Sequence, residues 1–429
     1  MSMYSNGTIK SVIVDPTHYR ANVRASFKLD GNRIYKSDLK LANVGLTIAN
    51  VTKNNVYNKL AGVGSLIKRI ALLDGKTELD SCNECHRYYA FNQLLDENSG
   101  NESENRYLIH NSQGLRTGEN NKQAINVKPA AKLAADATTP QGLVDVRRML
   151  PLLRSMDSFD TSKTFKNLRL EIEFETDSRL LSSDTTYAVT TLEPVLLCDV
   201  VEDPAVIAGL LKQMPPMVQW NKIEHDIINV PAPSADGTAV PSAVQSVSKK
   251  VRGFDNKRVG RLLAVKVFSD ADKTVTAGAV NDVGNLGSIA GYDEVINVRS
   301  NGKNILTRKG NDKSPNSRLA MLVDAYGDMA SYFGSNLITI DGQAGLVTDG
   351  TFKGGRLDYF GIVVNDNISD LQFSYDRTNL ASVNGSTGNA AAKAASKQVK
   401  ANAAIDIHLY AEVAKTLSMT PNGYNVAYV

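Results

Sequence analysis

Residues 82–86 read Cys-Asn-Glu-Cys-His, a stretch whose residue types and spacing could hold a cofactor. A Cys-x-x-Cys-His sequence is the attachment box of a c-type haem, and the two cysteines alone could form a redox pair or half of a zinc site. A zinc site needs about four ligands at suitable spacing. The remaining cysteine, Cys198, lies far away in an apolar run, and the sequence contains no second Cys-x-x-Cys and no His-x-x-x-His. The sequence therefore predicts neither haem nor metal here.

An amphipathic helix explains the two cysteines without a cofactor. Asp80 and Ser81 are good N-cap residues, so we expect the helix to begin there. Its apolar stripe, at steps of three, three and four, consists of Cys85, Tyr88, Phe91 and Leu95. In this interpretation Cys82 lies one turn before the stripe and behaves, like the next cysteine, as a small hydrophobic residue. His86 and Arg87 lie off the stripe, so we expect them at the surface.

Groups that could perform catalysis are scattered along the chain. The histidines occur singly, without a His-Glu-x-x-His or His-x-His cluster, and are His18, His86, His110, His225 and His408. The glycines of residues 62–68 precede a strand-like run, whereas a phosphate-binding loop precedes a helix. The carboxylate pairs Asp199 with Glu202 and Glu171 with Glu173 have no complementary set of acid, base and oxyanion donors. We therefore predict a non-enzyme with no catalytic, cofactor-binding or metal-binding residues and no cofactor.

The elements that position these residues are mainly strands, because the dominant hydrophobic period is two. Residues 168–175 read Leu-Arg-Leu-Glu-Ile-Glu-Phe-Glu, and residues 404–413 alternate in the same way. Further strand-like runs lie at 11–15, 21–29, 39–50, 65–73, 193–201, 261–269, 293–300, 360–366 and 370–376. Helical signals are few and short, and no alternation of strands with helices appears. The pattern predicts an all-β fold built from sandwiches.

Length and composition limit the class of protein. The chain has 429 residues, which suggests two or three domains, and its 42% hydrophobic and 22% charged residues are typical of a globular protein. A net charge of +3 argues against sequence-specific nucleic-acid binding. Three cysteines do not make a disulfide framework, and the first 15 residues do not resemble a secretory signal. We expect synthesis inside a cell without secretion.

The order of elements repeats along the chain. A strand, the turn Asp-Gly-Lys at 74–76 and a helix recur at 291–328 as a strand, an Asn-Gly-Lys turn and a helix that starts near Ser314-Pro315. A short helix between the copies opens at Asp203-Pro204 and stops at Met214-Pro215-Pro216. The predicted domains are 1–212, with a long loop at 97–143, and 213–429, with a long loop at 384–402.

Three segments together resemble one family, the double jelly-roll major capsid proteins of the adenovirus and tectivirus lineage, including polinton-like viruses and virophages. Residues 62–95 resemble the strand, turn and helix of the first roll of that family. Residues 144–175, in which Leu-Pro-Leu-Leu precedes the strand Leu-Arg-Leu-Glu-Ile, resemble the segment that follows. Residues 292–311 resemble the matching part of the second roll. The resemblance covers most of the chain in order and style, without an invariant signature.

The resemblance implies an all-β protein of two jelly-roll β-sandwich domains in tandem, with a few short helices and long insertion loops. It implies a homotrimer with a pseudo-hexameric outline that tiles the icosahedral capsid of a DNA virus. Its partners would be other copies of itself, neighbouring capsomers, and penton and minor capsid proteins. Relatives often enclose an internal membrane, but this chain lacks the basic amphipathic N-terminal helix of some of them. The expected location is the virion.

An alternative is a β-sandwich binding protein of the lectin-like or adhesin type, also without catalytic activity. Such a protein would show export, exposed aromatic residues in a groove and disulfides. Aromatic residues make up only 7% of this chain, with a single tryptophan, Trp220. We expect this tryptophan in core or interdomain packing. These features favour the capsid interpretation.

Overall fold

The computed structural model describes most of the strand-rich parts of the chain. The described residues are 9–21, 23–44, 46–48, 64, 66–96, 142–175, 187–189, 193–231, 244–268, 292–306, 310–311, 315–327, 359–379, 405–420 and 423–429. His110 and the predicted loop at 384–402 lie outside them. So does the predicted loop at 97–143 up to residue 141, after which a strand begins at Gly142. None of the helices in these ranges is long and apolar enough to cross a membrane.

Strands form most of the described structure, and helices are short. The strands up to the linking helix are β1 (Lys10–Val14), β2 (His18–Arg20), β3 (Arg24–Leu29), β4 (Ile34–Lys36), β5 (Lys40–Val44), β6 (Leu46–Ile48), β7 (Ile67–Asp74), β8 (Thr77–Asn83), β9 (Gly142–Asp145), β10 (Ser158–Asp160), β11 (Leu168–Phe174), β12 (Tyr187–Val189) and β13 (Val195–Val201). The later strands are β14 (Met217–Val230), β15 (Val244–Val251), β16 (Lys257–Phe268), β17 (Tyr292–Ser300), β18 (Lys303–Asn304), β19 (Gly310–Asn311), β20 (Tyr359–Ile368), β21 (Leu371–Asn379), β22 (Ile405–Thr420) and β23 (Gly423–Tyr428). The helices are α1 (Cys85–Asp96), α2 (Pro151–Ser155), α3 (Pro204–Leu211) and α4 (Pro315–Tyr326).

The chain divides into two compact units. The first unit contains residues 1–119, 124–223 and 414–429, and the second contains residues 120–123 and 224–413. The first unit thus includes a late segment of the chain in addition to the early one. The sequence-based domains 1–212 and 213–429 remain a prediction.

Two large sheets build the first unit, and β6 pairs with β12 in a small third one. One has the order β10-β4-β13-β5-β9, with β1 on the other side of β13, and the other has the order β2-β3-β11-β7-β8. The pairings of β11 with β3 and β7 are antiparallel. Strand β11 shows how alternating residues bury one face of the sheet. Its residues Leu168, Leu170 and Ile172 are buried, while Arg169 and Glu171 between them are only partly buried. The alternation seen in the sequence therefore places one face of the sheet in the core.

The second unit also has two antiparallel sheets. One runs β14-β22-β16-β20, and the other runs β15-β21-β17-β18, with β19 beside β17. Their inner faces supply a single core cluster in which Phe373, Tyr375, Leu409 and Leu262 are fully buried. Helix α4 packs over β20, where a side chain at Gly361 would overlap Leu322. The absence of a side chain at this glycine therefore allows the close approach of the helix.

The strand pairing confirms the internal repeat that the sequence indicates. The order β3-β11-β7-β8 in the first unit corresponds to β15-β21-β17-β18 in the second. In both, a tight turn joins the last two strands: Gly75 has φ 59° in the first unit, and Asn301 and Gly302 have φ 51° and 76° in the second. Glycine and asparagine are the residues that best tolerate such left-handed conformations.

The ends of β14 and β22 that belong to the first unit, together with β23, are here named the clasp. It consists of residues 217–223 of β14, residues 414–420 of β22, and β23 with Val429. Pro216 O accepts a hydrogen bond from Met419 N, and β22 pairs with β23 from Lys415 to Thr420. Val218, Trp220 and Lys222 are buried while Gln219 and Asn221 are exposed, so one face of the clasp packs against the unit.

Candidate functional site: buried ionic clusters

The structure corrects the predicted helix around the Cys-Asn-Glu-Cys-His stretch. Residues 77–83 form strand β8, paired with β7, and α1 begins only at Cys85. Asp80 and Ser81 are therefore strand residues and not an N-cap. The prediction that His86 and Arg87 lie at the surface is wrong, because His86 is fully buried and Arg87 is 7% exposed. Cys85, Tyr88 and Phe91 are buried as expected.

The three thiols are enclosed in apolar surroundings. Cys82, Cys85 and Cys198 are free and buried. The Cys85 thiol lies 3.0 Å from Ile67 O and 3.9 Å from Met149 Sδ. Burial raises the pKa of the Cys85 thiol well above its usual value, and burial followed by the nearby Asp199 charge raises the pKa of Cys198 to about 12. Both thiols are therefore protonated at neutral pH and are poor nucleophiles and poor metal ligands.

We expect these thiols to resist a water-soluble disulfide reagent in the folded protein. At pH 8 the native protein should release less than one equivalent of chromophore within minutes, and the urea-unfolded protein should release three. The variant Asn221→Cys, on the exposed face of β14, is the matched control and should add one fast equivalent. Fast reaction of the native wild-type thiols would contradict the burial argument.

One group of potential metal ligands lies close together within the described ranges. The ligand atoms of Glu84, His86 and Glu175 all lie within 4.8 Å of one another. His86 Nε2 is 3.0 Å from Glu175 Oε2 and 3.5 Å from Glu84 Oε2. Ligands of a zinc ion have similar separations, so distance alone would allow a metal.

The contacts of this group favour a proton over a metal ion at His86 Nε2. Arg87 N donates to His86 Nδ1 at 3.0 Å, which assigns the proton of a neutral ring to Nε2, where it is donated to Glu175. A metal would need the Nε2 lone pair instead. Lys68 Nζ and Arg87 Nε lie 3.7 and 3.6 Å from the Glu84 carboxylate and already offset its charge. The group therefore fits a hydrogen-bonded link between the start of α1 and the end of β11.

Asp80 is a second buried acidic group in the first unit. It is fully buried, and its carboxylate accepts hydrogen bonds from Leu152 N at 2.8 Å and Ser81 N at 3.0 Å. The first of these groups is an amide in the first turn of α2, so Asp80 caps that short helix from 72 residues away. Burial raises the pKa of Asp80 to about 6, against the lowering effect of these hydrogen bonds and of Lys222 and Lys415.

Asp160 provides a contrast within the same unit. It is also fully buried, but it accepts hydrogen bonds from the amides of Ser162, Lys163 and Thr164 and from two hydroxyls. Its pKa is lowered, because these hydrogen bonds together outweigh the burial that is the largest single effect. The larger number of donors at Asp160, together with a weaker effect of burial there, accounts for the opposite directions of the two pKa values.

Two lysines of the clasp meet β8 beside Asp80. Lys415 Nζ donates to the backbone oxygens of Glu78 at 3.2 Å and Leu79 at 2.9 Å, and Lys222 Nζ lies 2.7 Å from Glu78 Oε1. The two consecutive oxygens are available because β8 is an edge strand with a bulge at Leu79. Hydrogen bonding holds the pKa of Glu78 below its usual value against burial, which is the largest single effect.

Aromatic rings surround the Lys415 ammonium group. Its Nζ lies 5.6 Å from the centre of the Trp220 ring and 5.4 Å from that of Tyr428. Tyr424, further along the clasp, donates its hydroxyl to Asp74 Oδ2 at 2.8 Å and packs against Phe165. The clasp is therefore attached to the first unit by charged, aromatic and hydrogen-bonded contacts together.

The other carboxylates considered in the sequence form ion pairs or hydrogen bonds near the surface. Glu202 pairs with Lys10 and Arg33, and Asp199 accepts a hydrogen bond from Ser11. The remaining pairs are Arg169 with Glu171 and Arg69 with Glu173. Pairs of this kind are common on protein surfaces and contribute little to stability.

The remaining histidines fall into two situations. His18 is exposed on β2. His225 and His408 lie in the second unit, with His225 Nε2 3.0 Å from His408 Nδ1, and Tyr410 packs against the His225 ring. Among the described residues, this pair belongs to no group of three potential metal ligands within 4.8 Å of one another. The sequence did not reveal the pair, because the two residues are 183 positions apart.

The second unit has its own buried ion pair. Arg261 donates Nε–H and Nη2–H to Glu412 Oε2 at 2.8 and 2.6 Å, and Glu412 is 4% exposed. Arg261 Nη1 also donates to Ala325 O at 3.1 Å, and its guanidinium lies 4.8 Å from the centre of the Tyr326 ring. One arginine thereby joins two strands to the end of α4.

Comparison with known proteins gives results at the level of structure alone. No protein-family model matches the sequence, and no curated protein matches it. Among solved structures, 100% of this chain aligns with 90% of a chain in the cryo-EM structure of the Sputnik virophage, with 10% identity and a TM-score of 0.56. Similarly, 99% of this chain aligns with 90% of the mavirus major capsid protein, with 9% identity and a TM-score of 0.51.

A third match leads to the same architecture. Here 100% of this chain aligns with 99% of VP54 of PBCV-1, whose crystal structure was fitted into a reconstruction of the virophage Sputnik. The identity is 12% and the TM-score is 0.52. The matched chains are double jelly-roll proteins. The fold is a double jelly roll. The two compact units and their repeated strand order are those of two rolls in tandem, as the sequence predicts.

Proposed function

We propose that the protein is the major capsid protein of an icosahedral virus with a DNA genome. The observation that carries the proposal is the end-to-end structural match, at coverage of 99% or more of this chain, to a chain of the Sputnik virophage and to the mavirus major capsid protein. The match extends over both rolls and so includes the repeat itself. A lectin-like binding protein finds no comparable support.

The double roll suggests how the protein assembles with copies of itself. Two similar units per chain give six similar units in a trimer, so a homotrimer has the pseudo-hexameric outline that can tile a shell. Obligate interfaces of this kind bury on the order of 2,000–5,000 Å². Neighbouring capsomers, together with penton and minor capsid proteins, are the proposed further partners, and an internal membrane is a further candidate for contact.

The ionic clusters support a structural role over a catalytic one. His86 Nε2 is hydrogen-bonded to Glu175, the Glu84 carboxylate lies beside Lys68 and Arg87, and Cys85 and Cys198 carry protonated thiols. We therefore propose a non-enzyme with no catalytic, cofactor-binding or metal-binding residue. The proposed location is the virion, after synthesis inside the host cell without secretion, and no sequence-specific contact with nucleic acid is proposed. We propose a domain boundary near residue 213.

Light scattering coupled to size exclusion tests this function. The folded protein should elute at three times the 46.4 kDa mass of the chain, and the trimer should persist on dilution to low micromolar concentration. Negative-stain microscopy of the same fractions should show particles with a hexagonal outline. A folded monomer under these conditions, without particles or shells, would refute the capsid proposal.

A further inference from the structure

The turn between β17 and β18 is tied to the segment that joins the two sheets of the second unit. The turn consists of Asn301 and Gly302, which lie between the paired ends of the two strands. Residues 366–370, here named the corner, lead from β20 in one sheet to β21 in the other. Asn301 N donates to Asp370 O in the corner at 2.8 Å. The backbone of the turn thus holds the start of β21.

The Asn301 side chain uses both ends of its amide in the same contact. Its Oδ1 accepts hydrogen bonds from Ser369 N at 2.9 Å, Ser369 Oγ at 2.7 Å and Asp370 N at 3.2 Å. Its Nδ2 donates to Asp366 Oδ2 at 3.2 Å and to Asn367 O at 3.0 Å. A carboxylate could replace the accepting oxygen but not the donating nitrogen. The contact therefore requires the amide.

The first unit makes a similar connection with an aspartate. Gly75 N donates to Asn167 O at 3.1 Å, and Asp74 Oδ1 accepts from Asn167 N at 2.7 Å. Asn167 immediately precedes β11, so this turn also holds the start of the strand beside its hairpin. The other partner of the Asp74 carboxylate is the Tyr424 hydroxyl. Both partners are donors, which suits a carboxylate, whereas two partners of Asn301 are acceptors.

We propose that Asn301-Gly302 is a deamidation site that the closed turn protects, and that its conversion releases the corner. In this reaction Gly302 N attacks Asn301 Cγ, and the proton of Gly302 N leaves with the side-chain nitrogen as ammonia. Water then opens the resulting succinimide ring to aspartate or isoaspartate. Glycine offers no side chain to hinder the attack, and a side chain at Gly302 would meet no atom within 4 Å. The proposal does not depend on the capsid function.

The closed turn does not have the conformation that the reaction needs. Ring formation requires Cβ of Asn301 and N of Gly302 to eclipse each other about the Cα–C bond. The two residues have φ 51° and 76°, as in a type I′ turn, where ψ of the first residue is about +30°. At that ψ the two atoms lie on nearly opposite sides of the bond. Reaction therefore requires the turn to open and its hydrogen bonds with the corner to break.

Conversion of Asn301 removes what holds the corner. An aspartate lacks the Nδ2 donor, so it loses the hydrogen bonds to Asp366 and Asn367. Its second oxygen then faces the Asp366 carboxylate and Asn367 O with no donor between them, which is unfavourable. Isoaspartate adds one atom to the backbone of a two-residue turn, so the hairpin cannot keep its geometry.

Peptide mapping by mass spectrometry tests the site in the full chain, kept in neutral buffer with and without urea. The native chain should convert residues 301–302 at least about tenfold more slowly than the unfolded chain, because it reacts only when the turn opens. The chain has four Asn-Gly pairs, at 6–7, 301–302, 384–385 and 422–423, and in urea they should convert at similar rates. Equal rates at 301–302 in the native and unfolded chain would overturn the protection. No conversion in urea would refute the site.

Two matched variants test the release of the corner. Asn301→Asp reproduces the aspartate product, and Asn304→Asp places the same charge in the same hairpin. Asn304 Oδ1 accepts from Leu306 N at 3.0 Å, a hydrogen bond that a carboxylate preserves. Amides of residues 366–371 should exchange with deuterium at least about fivefold faster in Asn301→Asp than in the wild type. They should exchange at the wild-type rate in Asn304→Asp.

Unchanged exchange in Asn301→Asp would refute the release of the corner. Equal acceleration in both variants would also overturn it, because added charge and not the lost donor would then be responsible. If Asn301→Asp does not fold, Asn301→Ser replaces it, since serine also lacks the amide donor and carries no charge. Faster exchange confined to the Asn301 variants would support the proposal.

Discussion

A chain that ends at Val413 should lose the folded first unit while its second unit keeps its own sheets. The truncation removes Leu417, the Lys415 contacts with β8, and the hydrogen bond of Tyr424 with Asp74. Loss of one buried leucine side chain alone typically costs about 2–5 kcal/mol. The combined loss should reach the total stability of a domain, about 5–15 kcal/mol.

Trp220 provides a specific measurement of this loss. It is the single tryptophan of the chain, it is 4% exposed, and it belongs to the clasp. Its fluorescence emission should shift from the short wavelengths of a buried indole to those of an exposed one in the truncated chain. A truncated chain with unchanged emission would show that the clasp is not required.

Two adjacent residues of β22 test which face of the clasp packs against the first unit. Leu417 is fully buried, whereas Thr416 lies on the other face of the strand and is half-buried. Leu417→Ala should lower the free energy of unfolding of the first unit by about 2–5 kcal/mol, and Thr416→Ala by less than about 1 kcal/mol. Urea unfolding followed by Trp220 fluorescence compares the two variants. Equal effects of the two would contradict the orientation of the clasp.

Replacing Arg261 by alanine should strongly destabilise the second unit. The change removes the cation beside the buried Glu412 carboxylate and the donor to Ala325 O at the end of α4. Removal of one partner from a buried ion pair costs about 3–5 kcal/mol. Arg261 keeps 37% side-chain exposure, so we expect about 3 kcal/mol, the lower end of this range. Urea unfolding followed by circular dichroism measures the change.

A double substitution distinguishes charge from packing at this site. Arg261→Met combined with Glu412→Leu replaces both charges by apolar side chains of similar size. Such replacements are often neutral or stabilising, so the double variant should recover most of the stability that Arg261→Ala loses. A loss below about 1 kcal/mol for Arg261→Ala would instead indicate an ordinary surface ion pair.

The sequence predicted the strands well because alternation is a local property. Residues 168–174 and 405–413 are strands, the apolar residues of 168–172 and 407–413 are buried as expected, and α4 begins at Pro315 as the Ser-Pro pair indicates. The repeat was visible because the two turns require glycine at similar positions. The long strand β14 was not predicted, since charged residues and His225 interrupt the alternation beyond Trp220.

The buried ionic groups could not be predicted because their partners are distant in the chain. Asp80 looked like a helix N-cap, and it does cap a helix, but that helix begins 71 positions later at Pro151. His86 looked like a surface residue because its partner Glu175 is 89 positions away. Local patterns identify which residues are apolar and periodic, but they do not identify the tertiary partner that makes a polar residue stable in the core.

The clasp has a consequence for folding during synthesis. Lys415 contacts Leu79 across 336 positions of the chain, and about 190 residues of the second unit lie between the two clasp segments. At about 5–20 residues per second, a ribosome needs about 10–40 s to make that stretch. During this interval the backbone oxygens of Glu78 and Leu79 lack the Lys415 donor, and the Trp220 ring lacks its contact with Lys415. The ribosome starts to make the first unit before the second, but the first unit cannot complete its fold until residues 414–429 are made. Until then the edge of β8 exposes the nascent chain to aggregation.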